Sequence, residues 1–298
     1  MSKCSNEELI KELQLRIAEH SHVREELKSV TKEMKNVSRK LEESEAMKGH
    51  FISNITNEII NPFSSILGLS KAILSVDKEN WKKVFSMVAM IHTEAFSLDF
   101  QLKNIFAAAK IEAGDILPDL SNVDIYSVVT TVINSFKIDA KKKKLIFVQN
   151  FQVEASKDKP FYFKTDAEKL RLILSNLLNN AVKFSFDEGE ITIDVRKEES
   201  NLIISVTDTG AGISEENQTI IYDRFKRIDS GITSTLRGHG LGLSINKGML
   251  DLLDGEINLK SKLGEGSVFT FQIPEPEEDV DHTSYEGDEI FFENKQIF

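Results

Sequence analysis

The chain has 298 residues, a hydrophobic fraction of 40% and a net charge of −11. That is room for two compact domains with chain to spare, and the acidity argues against general nucleic-acid binding, because phosphate contact needs a basic surface. A single cysteine, Cys4, excludes an intramolecular disulfide and a four-cysteine zinc site and suits a reducing compartment. No run of eighteen apolar residues offers a membrane span, and MSKCSNEELIKEL lacks the apolar core of a signal peptide. The expected location is the cytoplasm, with the chain either whole or the soluble part of a longer protein.

Residues 6–47 contain no Gly or Pro. Ile10, Leu13 and Ile17 begin a 3-4 spacing, and after a phase slip near His20 it resumes through Val23, Leu27, Val30, Met34, Val37 and Leu41. A narrow apolar stripe between charges predicts a coiled coil, with the slip as a local overwinding; a lone amphipathic helix is the alternative. Residues 48–114 predict two long helices. Their stripes run through Ile52, Ile55, Ile59, Phe63, Ile66 and Ile73, then through Val84, Val88, Ile91, Phe96, Phe100, Ile105 and Ile111. SVDKENW at 75–81 separates them, and Gly114 and Pro118 end the second. Two such helices bury little alone, so a homodimeric four-helix bundle is expected.

Beyond residue 120 the period changes. VDIYSVVTTVINSFKIDAKKK predicts a helix, LIFVQNFQV and FYFKTD strands, and AEKLRLILSNLLNNAVKFS a helix with a strong apolar face. EITIDVRKEESNLIISVTDTG predicts a β-hairpin, GLGLSINKGMLDLLDG a helix closed by Gly255, and EINLKSKLGEGSVFTFQIP a second hairpin. Without regular βαβ repetition, this is a sheet covered by helices on one face. The fold class is α+β and multidomain: a coiled coil at 1–46, a helical hairpin at 47–118, an α/β sandwich at 119–274 and an acidic tail at 275–298. The tail is read as mobile, with IFFENKQIF as a segment able to dock.

Three stretches of the sandwich carry chemistry. In NLLNNAVKF, Asn176 and Asn180 share a helix face and Lys183 lies one turn beyond Asn179. An amide oxygen suits Mg²⁺ and an ammonium suits a phosphate, though alone this motif reads better as a polar helix face. DTGAGI ends a strand. Its glycines permit close approach of a ligand, and Asp208 can accept from an exocyclic amine. RGHGLGLSI opens a helix, where backbone N–H groups and the helix dipole favour phosphate. It does not follow the first strand of a βαβ unit, so a dinucleotide-binding reading fails on context.

In this order and spacing the motifs resemble the sensor histidine kinases of two-component systems, over about residues 47–274. NLLNNAVKF resembles the N box, DTGAGI the G1 box, YDRFKRID the F box and GHGLGLSI the G2 box. The resemblance implies an ATP-binding domain of the type shared with type II topoisomerases and the Hsp90 chaperones. By that resemblance Asn180 coordinates Mg²⁺ with help from Asn176, and Lys183 meets a phosphate. Asp208 reads adenine, Gly210 and Gly212 shape its pocket, and Gly238, Gly240 and Gly242 hold the triphosphate. A lid spans about 226–238, with Phe225 at its hinge. The implied cofactors are ATP and Mg²⁺, and the implied partners are a second copy of the chain and a response regulator receiver domain.

In the family, the first bundle helix carries the phosphoacceptor histidine in an S-H-E-hydrophobic-R-T-P pattern. Here the stretch is TNEIINPF: Glu58 and Pro62 match, Ile60 replaces the Arg, and Asn57 stands at the histidine position. Asn57 lies about 200° around the helix from Ile55, off the apolar stripe. A neutral imidazole has a free ring lone pair that can attack phosphorus, whereas the amide lone pair is delocalised into its carbonyl. His50, about two turns earlier, is no substitute. Asn57 is natural or introduced; either way the expected chain binds Mg·ATP and does not autophosphorylate there. Two alternatives stay open. One is a non-catalytic partner in a heterodimer. The other is a response-regulator phosphatase using Glu58 and Asn61, although Asn61 is equally a polar neighbour of the Pro62 kink.

Overall fold

The computed structural model describes residues 6–76, 80–156, 158–223, 240–277 and 283–284, with the backbone alone at 6–14, 18, 21, 40–58 and 283–284. The chain divides into two compact units, Met1–Asn54 and Ile55–Phe298. Helix α1 (Asn6–Leu74) contributes to both.

In the first unit α1 leaves Leu15, Ile17, Val23, Leu27, Val30, Met34 and Val37 exposed.

In the second unit α1 ends at Leu74 and α2 (Trp81–Ala113) follows. Gly114 closes α2 at φ 66°, donating its N–H to the carbonyl of Ile111. Ile59, Ile66 and Ile73 are half-buried, whereas Phe63 and Val88 of the expected stripes are exposed, together with Ile60, Leu67 and Phe85. The far end of α2 is covered: Phe96 and Phe100 meet Phe136 edge-on, with ring centroids at 5.7 and 6.3 Å.

The remaining chain forms two sheets and a helical layer. Strands β2 (Ile146–Phe151), β4 (Glu190–Glu198), β5 (Asn201–Asp208), β6 (Glu256–Lys262) and β7 (Gly266–Pro274) form a sheet in the order β2-β4-β5-β7-β6. Only the β2–β4 pairing in it is parallel. Strands β1 (Ser121–Asp124), β3 (Tyr162–Thr165) and β8 (Thr283–Ser284) form the second sheet, in the order β3-β1-β8. Helices α3 (Ile125–Lys142), α4 (Ala167–Phe184) and α6 (Gly242–Leu252) pack side by side, α3 on α4 and α4 on α6. Alternation delivers Ile191, Ile193 and Val195 to the core, where the apolar face of α4, Leu170, Ile173, Leu174, Leu177 and Leu178, is also buried. A short helix, α5 (Glu215–Gln218), follows β5.

Two expectations are corrected. Val123 and Asp124 end strand β1 and do not start the helix, which begins at Ile125. Val123 pairs antiparallel with Phe163, and the Asp124 carboxylate caps α3 by accepting from the N–H of Tyr126 at 3.1 Å. The acidic tail also contains structure: Thr283 and Ser284 pair in parallel with Asn122 and Val123. The segment IFFENKQIF lies outside the described residues.

The linker between α2 and β1 is anchored. Asp166 caps α4 with Oδ1, 2.9 Å from the N–H of Lys169, and its Oδ2 accepts from the N–H of Asp119 at 2.8 Å. The Lys169 ammonium lies 2.5 Å from that Oδ2 and donates to the carbonyl of Leu117 at 2.9 Å.

Candidate nucleotide-binding site

The three motifs converge around α4. Its last turn meets the loop after β5: the Ala211 N–H donates to the Phe184 carbonyl at 3.2 Å, the Phe186 N–H donates to Thr209 at 3.3 Å, and Ser185 forms an isolated bridge with Gly210. Two turns earlier α4 meets the start of α6. There Asn176 donates to Oδ1 of Asn246 at 2.9 Å and to the carbonyl of Gly242 at 3.4 Å. Helix, loop and helix N-terminus thus border one region, although residues 176, 208 and 242 are distant in sequence.

Asp208 is the last residue of β5 and is only 7% exposed. Burial raises its pKa from 3.8 to about 6, against the opposing pull of the Gly210 and Ser267 backbone N–H groups. Its Oδ1 is buried without a hydrogen-bond partner. A buried acceptor with no donor is costly unless a ligand supplies one.

The glycines earn their places by distance. A Cβ on Gly210 would lie 2.3 Å from the Phe184 carbonyl oxygen. One on Gly212, at φ +63°, would lie 2.0 Å from that of Lys262. Gly240 is also left-handed, at φ 66°. Gly242 opens α6 beside Asn176, whose Oδ1 would be 3.3 Å from an added Cβ. The N-cap of α6 is Leu241, which has no side-chain oxygen to offer the first-turn N–H groups.

Asn176 is 3% exposed and its amide nitrogen is committed to Asn246, which donates in turn to the carbonyl of Ile173 at 3.1 Å. Asn176 therefore fastens α4 to α6. Asn180 and Lys183 are half-buried, and the Lys183 ammonium lies 5.1 Å from the centroid of the Phe184 ring. Phe225, Gly238 and the expected lid from 226 lie outside the described residues, as do the side chains of Asn57 and Glu58; Asn61 is exposed.

Sequence reasoning missed Asn246 and Gly266. Asn246 is fully buried, an anomaly detectable only once α6 is known to face α4. Gly266 adopts φ 101°, and a Cβ there would lie 2.0 Å from the carbonyl oxygen of Asp208; the GEG turn was its one signal.

Residues 165–277 match HATPase_c, the histidine kinase-, DNA gyrase B-, and HSP90-like ATPase family. The circadian input-output histidine kinase CikA of Synechocystis sp. is 30% identical over 250 residues, which is 82% of this chain and 33% of that protein. The sensor-like histidine kinase SenX3 of Mycolicibacterium smegmatis is 30% identical over 250 residues, 82% of this chain and 62% of that protein. The chain thus spans about a third and about three fifths of these relatives. Among solved structures, full-length ShkA in complex with AMPPNP aligns at a TM-score of 0.53 and 22% identity, over 78% of this chain and 46% of that one, a likeness of fold. Residues 165–277 are thus similar to the ATPase domains of the histidine kinase, DNA gyrase B and HSP90 type, and most of the chain is similar in sequence to sensor histidine kinases.

Proposed function

We propose that this chain is a histidine kinase-type signal transducer that binds Mg·ATP and has Asn57 in place of the phosphoacceptor histidine. The observation that carries the nucleotide assignment is the buried, unpartnered Oδ1 of Asp208 beside a wall that only glycine fits. That acceptor matches the exocyclic amine of adenine. The N-terminus of α6, with Gly240 and Gly242, offers N–H groups to the phosphates, and Lys183 offers charge. The Asn180 oxygen suits Mg²⁺, which keeps waters and phosphate oxygens as most of its ligands. Among the described residues no cluster of three or more His, Cys, Asp or Glu competes for a metal.

In this proposal residues 1–46 are a signalling coiled coil, 47–118 the dimerisation hairpin, 119–274 the ATP-binding domain and 275–298 an acidic tail. The uncovered Ile60, Phe63, Leu67 and Phe85 support a homodimer. The ATP-binding domain presents the γ-phosphoryl group at position 57, where the amide of Asn57 offers no free lone pair. The partner class is a response regulator receiver domain. Among the described residues no helix is long and apolar enough to cross a membrane.

The exposure of Asn61 favours a second reading, in which Glu58 and Asn61 orient a water toward a receiver's aspartyl phosphate. The test of the first is to incubate the chain and its Asn57→His variant with Mg²⁺ and ATP labelled at the γ-phosphate. Acid-labile label on the variant alone supports a live ATP domain with its acceptor removed. No label on either overturns the kinase assignment, and loss of regulator phosphate in the parent chain then identifies the phosphatase.

A further inference from the structure

We propose that Lys143 is a positioning residue for the nucleotide site, acting through the last turn of α4; this rests on the nucleotide reading above. Lys143 belongs to a run of four lysines, 141–144. Lys142 and Lys144 spend their charge on surface carboxylates, Asp139 at 2.6 Å and Glu188 at 2.5 Å. Lys143 instead donates to two backbone carbonyls, those of Lys183 at 2.7 Å and Ser185 at 3.0 Å.

Those carbonyls lie at the C-terminus of α4, the negative end of the helix dipole, where the last carbonyls have no partner within the helix. An ammonium there satisfies two acceptors and complements the dipole. The backbone of Lys143 is itself held. It caps α3, donating its N–H to the Ala140 carbonyl at 3.1 Å, and its own carbonyl accepts from the N–H of Glu188 at 2.8 Å.

The same turn of α4 is sewn on another side to the loop that follows Asp208, through Ala211 to Phe184, Phe186 to Thr209 and the Ser185–Gly210 bridge. One ammonium therefore fixes the turn that ties the helix carrying Asn180 and Lys183 to the loop after Asp208. Without it two carbonyls lose their partner, the final turn frays, and phosphate-facing and adenine-facing groups lose their common reference.

The test uses the full chain with Lys143→Met, Lys143→Arg and, as a control on the same helix end, Lys142→Met. Two quantities are read: amide hydrogen exchange without nucleotide, and affinity for Mg·AMPPNP by calorimetric titration. The expected result for Lys143→Met is exchange faster by about tenfold, confined to residues 183–186 and 209–212, with affinity weaker by about tenfold. Arginine, which can also donate to both carbonyls, restores both quantities, and Lys142→Met matches the parent. Unchanged affinity in Lys143→Met, with the parent binding normally, overturns the positioning role alone. So does faster exchange across the whole ATPase domain that arginine does not reverse, since that is global destabilisation. A parent chain that binds no Mg·AMPPNP overturns the nucleotide reading and this role with it, whatever the exchange data show.

Discussion

Asn176 on α4 and Asn246 on α6 meet amide to amide at 2.9 Å, both buried, at the point where Gly242 lets the two helices approach. An amide pair inside a helical interface has one satisfied arrangement, so it fixes the register of α6 on α4. Asn246→Ala leaves the Asn176 amide without its partner. The expected loss is about 2 kcal/mol, a fall in Tm of roughly 4–8 °C followed by circular dichroism, together with weaker nucleotide binding as α6 shifts.

The folded-state pKa of Asp208, about 6, lies above its ordinary 3.8. The folded chain therefore binds this proton more tightly than the unfolded chain. The stability from this group is full below pH 4 and is lost as pH rises through 6, a change of about 3 kcal/mol. Asp208→Asn is expected to raise the Tm at pH 7.5 and to abolish nucleotide binding. A thermal melt paired with a titration checks both, and a lowered Tm would refute the burial argument.

Nucleotide affinity in the parent chain is expected to fall as pH drops from 7 to 5, because a protonated Asp208 is a poorer acceptor for an amine. Titrations at several pH values, with circular dichroism confirming the fold, measure this. A flat profile would remove Asp208 from nucleotide recognition.

Gly210→Ala and Gly264→Ala form a controlled pair. At Gly210 the added methyl meets backbone oxygen at 2.3 Å, whereas at Gly264, at φ +83°, nothing lies within 4 Å. The first is expected to destroy nucleotide binding and lower the Tm. The second is expected to cost about 1 kcal/mol of backbone strain and leave binding within about twofold of the parent.

Lys169→Met removes the cation buried against Asp166 and the donor to the Leu117 carbonyl. Leaving that carboxylate without its cation is expected to cost about 3 kcal/mol. The freed linker should be cut faster by protease near residues 115–120, a difference visible on limited digestion. An unchanged digestion pattern would show that the linker is held by its other contacts.

Much of this architecture was legible because its signals are local. The apolar face of α4, the alternation of β4 and the glycine closing α2 each follow from a few neighbouring residues. Strand β1 was misread because its pairings run to Phe163, some forty residues on, and to Ser284 in the tail. Val123 and Asp124 also run straight into the apolar pattern of α3 that begins at Ile125, so nothing local marks them as extended. Asn246 and Lys143 were silent for a related reason: an asparagine on a helix and a lysine in a run of four look like surface residues until a second helix end is set against them.

The sequence by itself determined the order of the motifs, the glycines that a close approach demands and the presence of an amide at position 57, since these depend only on residue identity and spacing. The tertiary structure decided which of those groups are spent and which are left over. It committed the Asn176 amide to Asn246, gave Lys143 to the end of α4, and buried Oδ1 of Asp208 without a donor. Partnership and desolvation are properties of what is packed nearby, and residues far apart in the chain are brought together only when the sheet and its helices close.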